Sequence, residues 1–204
     1  VGELEADDPG AMLAISAPPA RVEALIGGMT GVVVSNFNSP RQTVAAGTTA
    51  GIAHLARRCA AEQVTARRIP VSHAFHSDIV APAAERLARE LESVAFDELR
   101  GTVVSSSTGD VLDRRADLRS LLADHVRSPV RFADAVRRAA EEGPALWVEV
   151  GPGGILTSFV RDTLGADVVC LPTDVPGEDG WERVVQVCAE AFVRGFHFDI
   201  EALF

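Results

Sequence analysis

The densest polar cluster in an otherwise apolar context is Ser72-His73-Ala74-Phe75-His76-Ser77. As metal ligands the two histidines at i and i+3 need a third and a fourth partner. His54, His125 and His197 stand at no helpful spacing, so no metal site is expected. As a general base, an imidazole with an ordinary pKa of about 6.5 accepts a proton from a hydroxyl or thiol near neutral pH. The alternative is structural, with both rings satisfied by backbone hydrogen bonds where two parts of the chain meet. A base implies a nucleophile. On α/β scaffolds a serine nucleophile sits in G-x-S-x-G, whose glycines permit a sharp strand-to-helix elbow. That pentapeptide is absent from the 204 residues. Ser105, Ser106 and Ser107 follow an apolar run, but the first flanking glycine is missing and Thr108-Gly109-Asp110 reads as an ordinary turn. Gly151-Pro152-Gly153-Gly154 invites comparison with a phosphate-cradling loop. It lacks G-x-G-x-x-G and a lysine, and a strand-to-helix turn explains it.

Composition narrows the classes these residues can serve. The chain is 47% hydrophobic and 24% charged, an ordinary globular balance, and 204 residues can bury a sizeable core without disulfide or metal staples. Nineteen cations, all Arg, stand against 29 acidic residues for a net charge of -10, the wrong sign for gripping phosphate backbones or an anionic bilayer. Neither nucleic acid nor membrane is an expected partner. No run reaches the ~20 apolar residues of a membrane span, and the acidic start at residues 1–8 has no basic leader region, so a cytoplasmic location is expected. That start shows no helix or strand pattern before Met12, as though the chain were cut from a longer polypeptide. Cys59, Cys170 and Cys188 are odd in number, scattered and flanked by apolar residues, and they read as buried reduced thiols.

The elements that must position the histidine cluster follow from periodicity. Residues 11–16 read as a strand; Pro18-Pro19 opens a helix with Val22, Leu25 and Ile26 on one face; residues 31–35 are a β-branched strand. Asn38-Ser39-Pro40 signals a turn and residues 42–46 a short strand. Ile52, Leu55, Ala56 and Cys59 recur at helical spacing before a strand at 65–70. The order βαββαβ is the ferredoxin-like arrangement, assigned to residues 11–71. Residues 72–204 read as a second, α/β part. It begins with a helix carrying Val80, Ala84, Leu87 and Leu91, a strand at 102–106, and helices at 117–124 and 132–142. A strand at 145–150 follows, whose continuous apolarity predicts burial on both faces. Then come a helix at 155–164, a strand at 167–171, a polar loop at 172–180, and a last helix with Trp181, Val184, Val185, Cys188 and Phe192 in one stripe. The histidine cluster falls at the junction of the two parts, where clefts form.

Four motifs occur in order: Asn36-Phe37-Asn38-Ser39-Pro40-Arg41-Gln42-Thr43-Val44-Ala45-Ala46-Gly47, His73-Ala74-Phe75-His76-Ser77, Ser128-Pro129-Val130-Arg131-Phe132 and Glu149-Val150-Gly151-Pro152-Gly153-Gly154-Ile155-Leu156. In them the chain resembles the malonyl-CoA:acyl carrier protein acyltransferase family, and best the acyltransferase domain of type I polyketide synthases. Within these it is similar to the iterative, enediyne-type synthases. The resemblance implies a ferredoxin-like subdomain joined to the C-terminal part of an α/β-hydrolase-like subdomain, with the active site in the cleft between them. It also implies that the G-H-S-x-G nucleophile, the oxyanion donor and the Arg that grips the malonyl carboxylate lie upstream. The chain alone is therefore expected to be inactive.

At the matching positions, His76, followed by Pro82 at the family's spacing, corresponds to the base of a Ser-His dyad, and a backbone carbonyl near His125 and Val126 accepts its other ring proton. His73, Phe75, Asn36, Asn38 and His125 fall on the substrate side. In the resembling enzymes His-Ala-Phe-His accompanies malonyl and Tyr-Ala-Ser-His methylmalonyl, so Phe75 implies a malonyl unit. One methyl is worth only about 1 to 3 kcal/mol, a bias rather than an absolute filter. Phe75 also reads as plain core. Asn36 and Asn38 either bond the acyl group or pantetheine arm, or simply form the turn before Pro40. His125 reads as a seam residue rather than a second base. The implied function is transfer of a malonyl unit from CoA to the phosphopantetheine thiol of an acyl carrier protein, through an acyl-Ser intermediate, in polyketide biosynthesis. Malonyl-CoA is the substrate and no cofactor is required. Arg57, Arg58, Arg67 and Arg68 are either a docking patch for an acidic carrier protein or a solvated face. A non-catalytic binding or scaffold module is the alternative, resting on the missing elbow. An esterase or lipase would need an acid before a late His, and that order is absent.

Overall fold

The computed structural model describes residues 8–197, 199 and 201; residues 1–7 of the acidic start lie outside them. The chain divides into two compact units, one running to Arg138 and the other from Ala139. The sheet of the first unit ends at Ile69, near the boundary expected at 71/72. The division falls later because the segments after the sheet are bonded back onto it: the Ala74 N–H donates to Pro9 O at 2.9 Å and the Phe37 N–H to Val130 O at 2.7 Å.

The first unit opens with β1 (Ala11–Ile15), α1 (Pro19–Ile26), β2 (Val32–Ser39), β3 (Gln42–Gly47), α2 (Thr49–Ala61) and β4 (Ala66–Ile69). The antiparallel sheet has the order β2-β3-β1-β4, so the βαββαβ pattern folds as expected. Alternation along β1 explains how it serves two layers. Ala11, Leu13 and Ile15 face α1 and α2, meeting Val22, Leu25, Ile52, Leu55 and Cys59. Met12 and Ala14 face the other way, onto Ala74, Phe75 and Ile79. Each fully buried Leu, Ile or Val contributes about 1.5 to 3 kcal/mol, so the helix-covered face holds the larger share of the burial. Proline at the start of α1 and the Thr48 side chain, accepting from the Gly51 N–H at 3.1 Å, define the two helix starts. Strand β2 is longer than expected, so Asn36 and Asn38 lie within it and the turn is at Pro40-Arg41. Register irregularities at both positions leave room for β2 to bend.

After a short 3₁₀ turn (Asp78–Val80) come α3 (Ala81–Leu91), α4 (Leu118–His125) and α5 (Phe132–Ala140). The strand expected at 102–106 is reduced to one bridge between Val104 and Val111. Serine and threonine hydroxyls compete there with ladder bonds: the Ser107 N–H donates to Ser105 Oγ at 3.1 Å and the Asp110 N–H to Thr108 Oγ1 at 3.3 Å.

The second unit holds β5 (Trp147–Pro152), α6 (Ile155–Leu164), β6 (Cys170–Asp174) and α7 (Gly180–Val193), with β5 and β6 parallel. Strand β6 begins and ends later than expected and includes Pro172, which needs no ladder donor where only one neighbour is paired. Burial of β5 on both faces is not found: Glu149 is buried, whereas Val148 is 41% and Val150 85% exposed. The stripe of α7 likewise splits. Trp181, Val185 and Phe192 are exposed, and no α7 side chain is fully buried. The apolar pattern recorded more hydrophobic surface than this unit covers with its own elements. Cys59 and Cys170 are buried free thiols, and burial pushes both above the ordinary 9.0; Cys188 is half-buried and also free. Among the described residues, no helix is long and apolar enough to cross a membrane.

Candidate active site around His76

The site is built on the back of the four-stranded sheet. A side chain at Gly10 would place its Cβ 2.6 Å from Ala74 Cβ and 2.6 Å from Gly47 O. Only glycine there, with φ of +73°, lets the 73–79 segment come down onto β1 and β3. Ala74 is fully buried, and the Ser77 hydroxyl donates back to Ala74 O at 2.6 Å. Between these anchors His76 takes φ of +59°, the left-handed region that costs a non-glycine residue about 1 to 2 kcal/mol. The His76 N–H donates to Val126 O at 3.0 Å, which helps hold that conformation.

The ring of His76 meets two main-chain oxygens at one nitrogen: Nδ1 lies 3.0 Å from His125 O and 2.9 Å from Ser128 O. Carbonyl oxygens only accept, so Nδ1 carries the proton and Nε2 keeps its lone pair. Burial pushes this imidazole below the ordinary 6.5; the Ser128 and His125 carbonyls push back, and the His125 ring adds a smaller downward push. The result is a half-buried neutral imidazole with a defined tautomer and one nitrogen free to take a proton.

The end of α4 delivers the His125 carbonyl, and the edge of the sheet the Ser128 carbonyl. The Val130 N–H donates to Ser35 O at 2.8 Å, so the Ser128-Pro129-Val130-Arg131 stretch runs alongside β2. Arg131 sits 5.8 Å above the Phe37 ring and is paired with Asp134 at 2.9 Å, the salt-bridged environment common for an Arg beside a helix start. His73 is buried with Nδ1 lacking a hydrogen-bond partner, and it lies edge-on to Phe75 at 6.4 Å. Phe75 packs partly against Met12, Val44, Ala46 and Ala74. Asn36 Oδ1 accepts from the Ser35 hydroxyl at 2.8 Å, and the Asn38 amide donates to Gln42 Oε1 at 2.8 Å. His125 ends α4 with its ring 6.0 Å from that of His76. The four arginines do not share one face: register puts Arg67 opposite Ala14 and Arg68 opposite Leu13, on opposite sides of the sheet. Among the described residues no three His, Cys, Asp or Glu side chains gather as a metal site.

The Gly-rich turn of the second unit has a different purpose. Glu149 Oε1 accepts from the Leu156 N–H at 3.0 Å and Oε2 from the Thr157 N–H at 2.7 Å, so the start of α6 is already occupied by a carboxylate. Sequence reasoning passed over Glu149, although a lone carboxylate in an apolar strand ahead of a helix start was a legible signal. It also passed over Ser128 O and the left-handed backbone of His76, for which the sequence offers no local sign.

Residues 3–196 match the acyl transferase domain family. Polyketide synthase GfsA of Streptomyces halstedii is 40% identical over 158 residues, covering 76% of this chain and 2% of that protein. The malonyl CoA-acyl carrier protein transacylase of Bacillus subtilis (strain 168) is 36% identical over 132 residues, covering 64% of this chain and 41% of that one. The crystal structure of the acyltransferase domain from the second module of the salinomycin polyketide synthase superposes with a TM-score of 0.84 at 32% identity, covering 93% of this chain and 45% of the other. The chain thus spans less than half of each of these proteins. Its fold, its motif order and this match agree, and the chain belongs to the acyl transferase domain family.

Proposed function

We propose that this chain supplies the base and part of the acyl pocket of a domain that moves a malonyl unit from CoA to the phosphopantetheine thiol of an acyl carrier protein. A serine hydroxyl, from polypeptide outside these 204 residues, attacks the thioester carbonyl and gives its proton to His76 Nε2. Backbone N–H groups stabilise the oxyanion, and the CoA thiolate leaves with the proton from His76. The carrier thiol then gives its proton to the same nitrogen and attacks the acyl-serine, and His76 returns that proton to the departing serine oxygen. The observation that supports this reading is the pair of carbonyls at Nδ1, which leaves Nε2 as the one basic ring nitrogen. By itself the chain has a base without its nucleophile and transfers nothing. No cofactor enters the scheme.

The test joins the chain to the preceding segment of its parent polypeptide and measures label transfer from radiolabelled malonyl-CoA. His76→Ala lowers the rate about 10² to 10⁴-fold; transfer at the unmutated rate overturns the role. Phe75→Ser narrows the preference for malonyl over methylmalonyl-CoA by about 10- to 200-fold, since a single methyl sets the difference. An unchanged ratio returns Phe75 to the core alone.

A further inference from the structure

We propose that the side chains of Ser106 and His125 form a positioning pair for His76, a role that rests on His76 being the base. The two rings are 6.0 Å apart, and His125 contributes the main-chain oxygen 3.0 Å from His76 Nδ1. The residue that carries that oxygen is anchored through its own side chain: His125 Nε2 lies 3.3 Å from Ser106 Oγ. Ser106 in turn accepts the Arg131 N–H at its carbonyl oxygen, and the Gly109 N–H donates to Ser105 O at 2.7 Å, closing the turn that carries the serine. Arg131 follows the stretch bonded to β2 through Ser35 and Val130. The chain of bonds therefore forms a closed loop from the sheet edge through Ser106 to His125 and on to His76. Ser106 adds a side-chain anchor to the end of α4, which the Ser128 N–H donating to Asp124 O and the His76 N–H donating to Val126 O also hold.

The pair also acts through charge. The His125 ring at the end of α4 pushes the His76 imidazole down, an effect smaller than that of burial. The other titratable or charged groups on the surrounding elements are the buried His73 and the exposed Asp78 beside the base, Asp124 and Arg127 bonded to each other at 2.9 Å, and Arg131 held on Asp134 at 2.9 Å. Both ion pairs are internally neutralised.

The experiment uses the full 204-residue chain labelled with ¹⁵N-histidine, following ring nitrogens by NMR from acid to neutral pH. His125→Gln keeps the main-chain oxygen and removes the ring that pushes His76 down; it raises the His76 midpoint. Ser106→Ala keeps both rings; it replaces the single Nδ1–H tautomer of His76 with a mixture. An unmoved midpoint in the first variant, or an unchanged tautomer in the second, overturns the pairing. If His125→Gln does not give a folded amide spectrum, Ser106→Ala, which removes one hydroxyl, decides alone. In the joined domain Ser106→Ala lowers kcat and leaves KM for malonyl-CoA unchanged; a change confined to KM contradicts positioning. Failure of these NMR shifts leaves the His76→Ala result standing, whereas transfer at the unmutated rate in His76→Ala overturns the positioning role and leaves the NMR shifts in place.

Discussion

The 73–77 segment and the Gly151–Gly154 turn look equally suggestive as strings of residues, and the structure resolves them in opposite senses. At the turn the polar groups are turned on one another: the Leu156 and Thr157 N–H groups at the start of α6 are taken by Glu149, and the Thr173 hydroxyl donates to Glu149 O at 3.2 Å. At the histidine segment one capacity is left open. The backbone is held in a costly conformation, Nδ1 has two acceptors, and Nε2 has neither. A polar group that the fold satisfies completely stabilises; one that the fold positions and leaves with a lone pair is available for chemistry.

The comparison can be broken most severely at Gly10. Gly10→Ala adds left-handed strain to a 2.6 Å clash with Ala74 Cβ and Gly47 O, a cost of about 2 to 5 kcal/mol. Urea unfolding measures it, and a cost below 1 kcal/mol would show that the histidine segment is not seated as tightly as the contacts imply. At the other region, Glu149→Ala strands two donors, the buried Thr157 N–H and the part-buried Leu156 N–H, and costs about 1 to 3 kcal/mol. Glu149→Gln, which keeps one acceptor oxygen, costs less. Hydrogen exchange at the Leu156 and Thr157 amides reads the loss locally, while the His76 tautomer stays unchanged.

A pH series sharpens the contrast further. Because burial lowers the His76 pKa below 6.5, the folded chain holds fewer protons than the unfolded one between the two values. This group's contribution to stability is complete above the ordinary histidine pKa and is lost as pH falls through the lowered one. The acid limb of acyl transfer in the joined domain has its midpoint below 6.5 for the same reason; a midpoint above it contradicts the burial argument. The smallest effect is conformational. His76→Gly is more stable than His76→Ala by about 1 kcal/mol or less, since glycine adopts φ of +59° without strain. Equal stabilities would mean that the strain is absent.

Much of this was legible in the sequence, for identifiable reasons. The Ile52, Leu55, Cys59 spacing in α2 records which face meets the core, because each side chain's direction follows from period alone. His76 stood out as a base because an imidazole in an apolar context has few cheaper explanations. Reading failed where burial depended on elements far apart in the chain. Val148 and Val150 carry the same apolar signature as Val44 and Ala45, yet the first two are exposed and the last two buried. Asn38 was a turn former by type, yet it bonds across a hairpin to Gln42.

Residue types and their spacing alone determined the ferredoxin-like order, the two helix-facing stripes and the presence of a candidate base, since these rest on periodicity and intrinsic chemistry. Only the tertiary structure decided which ring nitrogen is basic and what holds it so. The tautomer of His76 is set by oxygens of residues 125 and 128, whose side chains play no part in that contact. Main-chain carbonyls are common to every residue, and so a site made from them leaves no mark in the sequence until the chain folds and brings them to one atom.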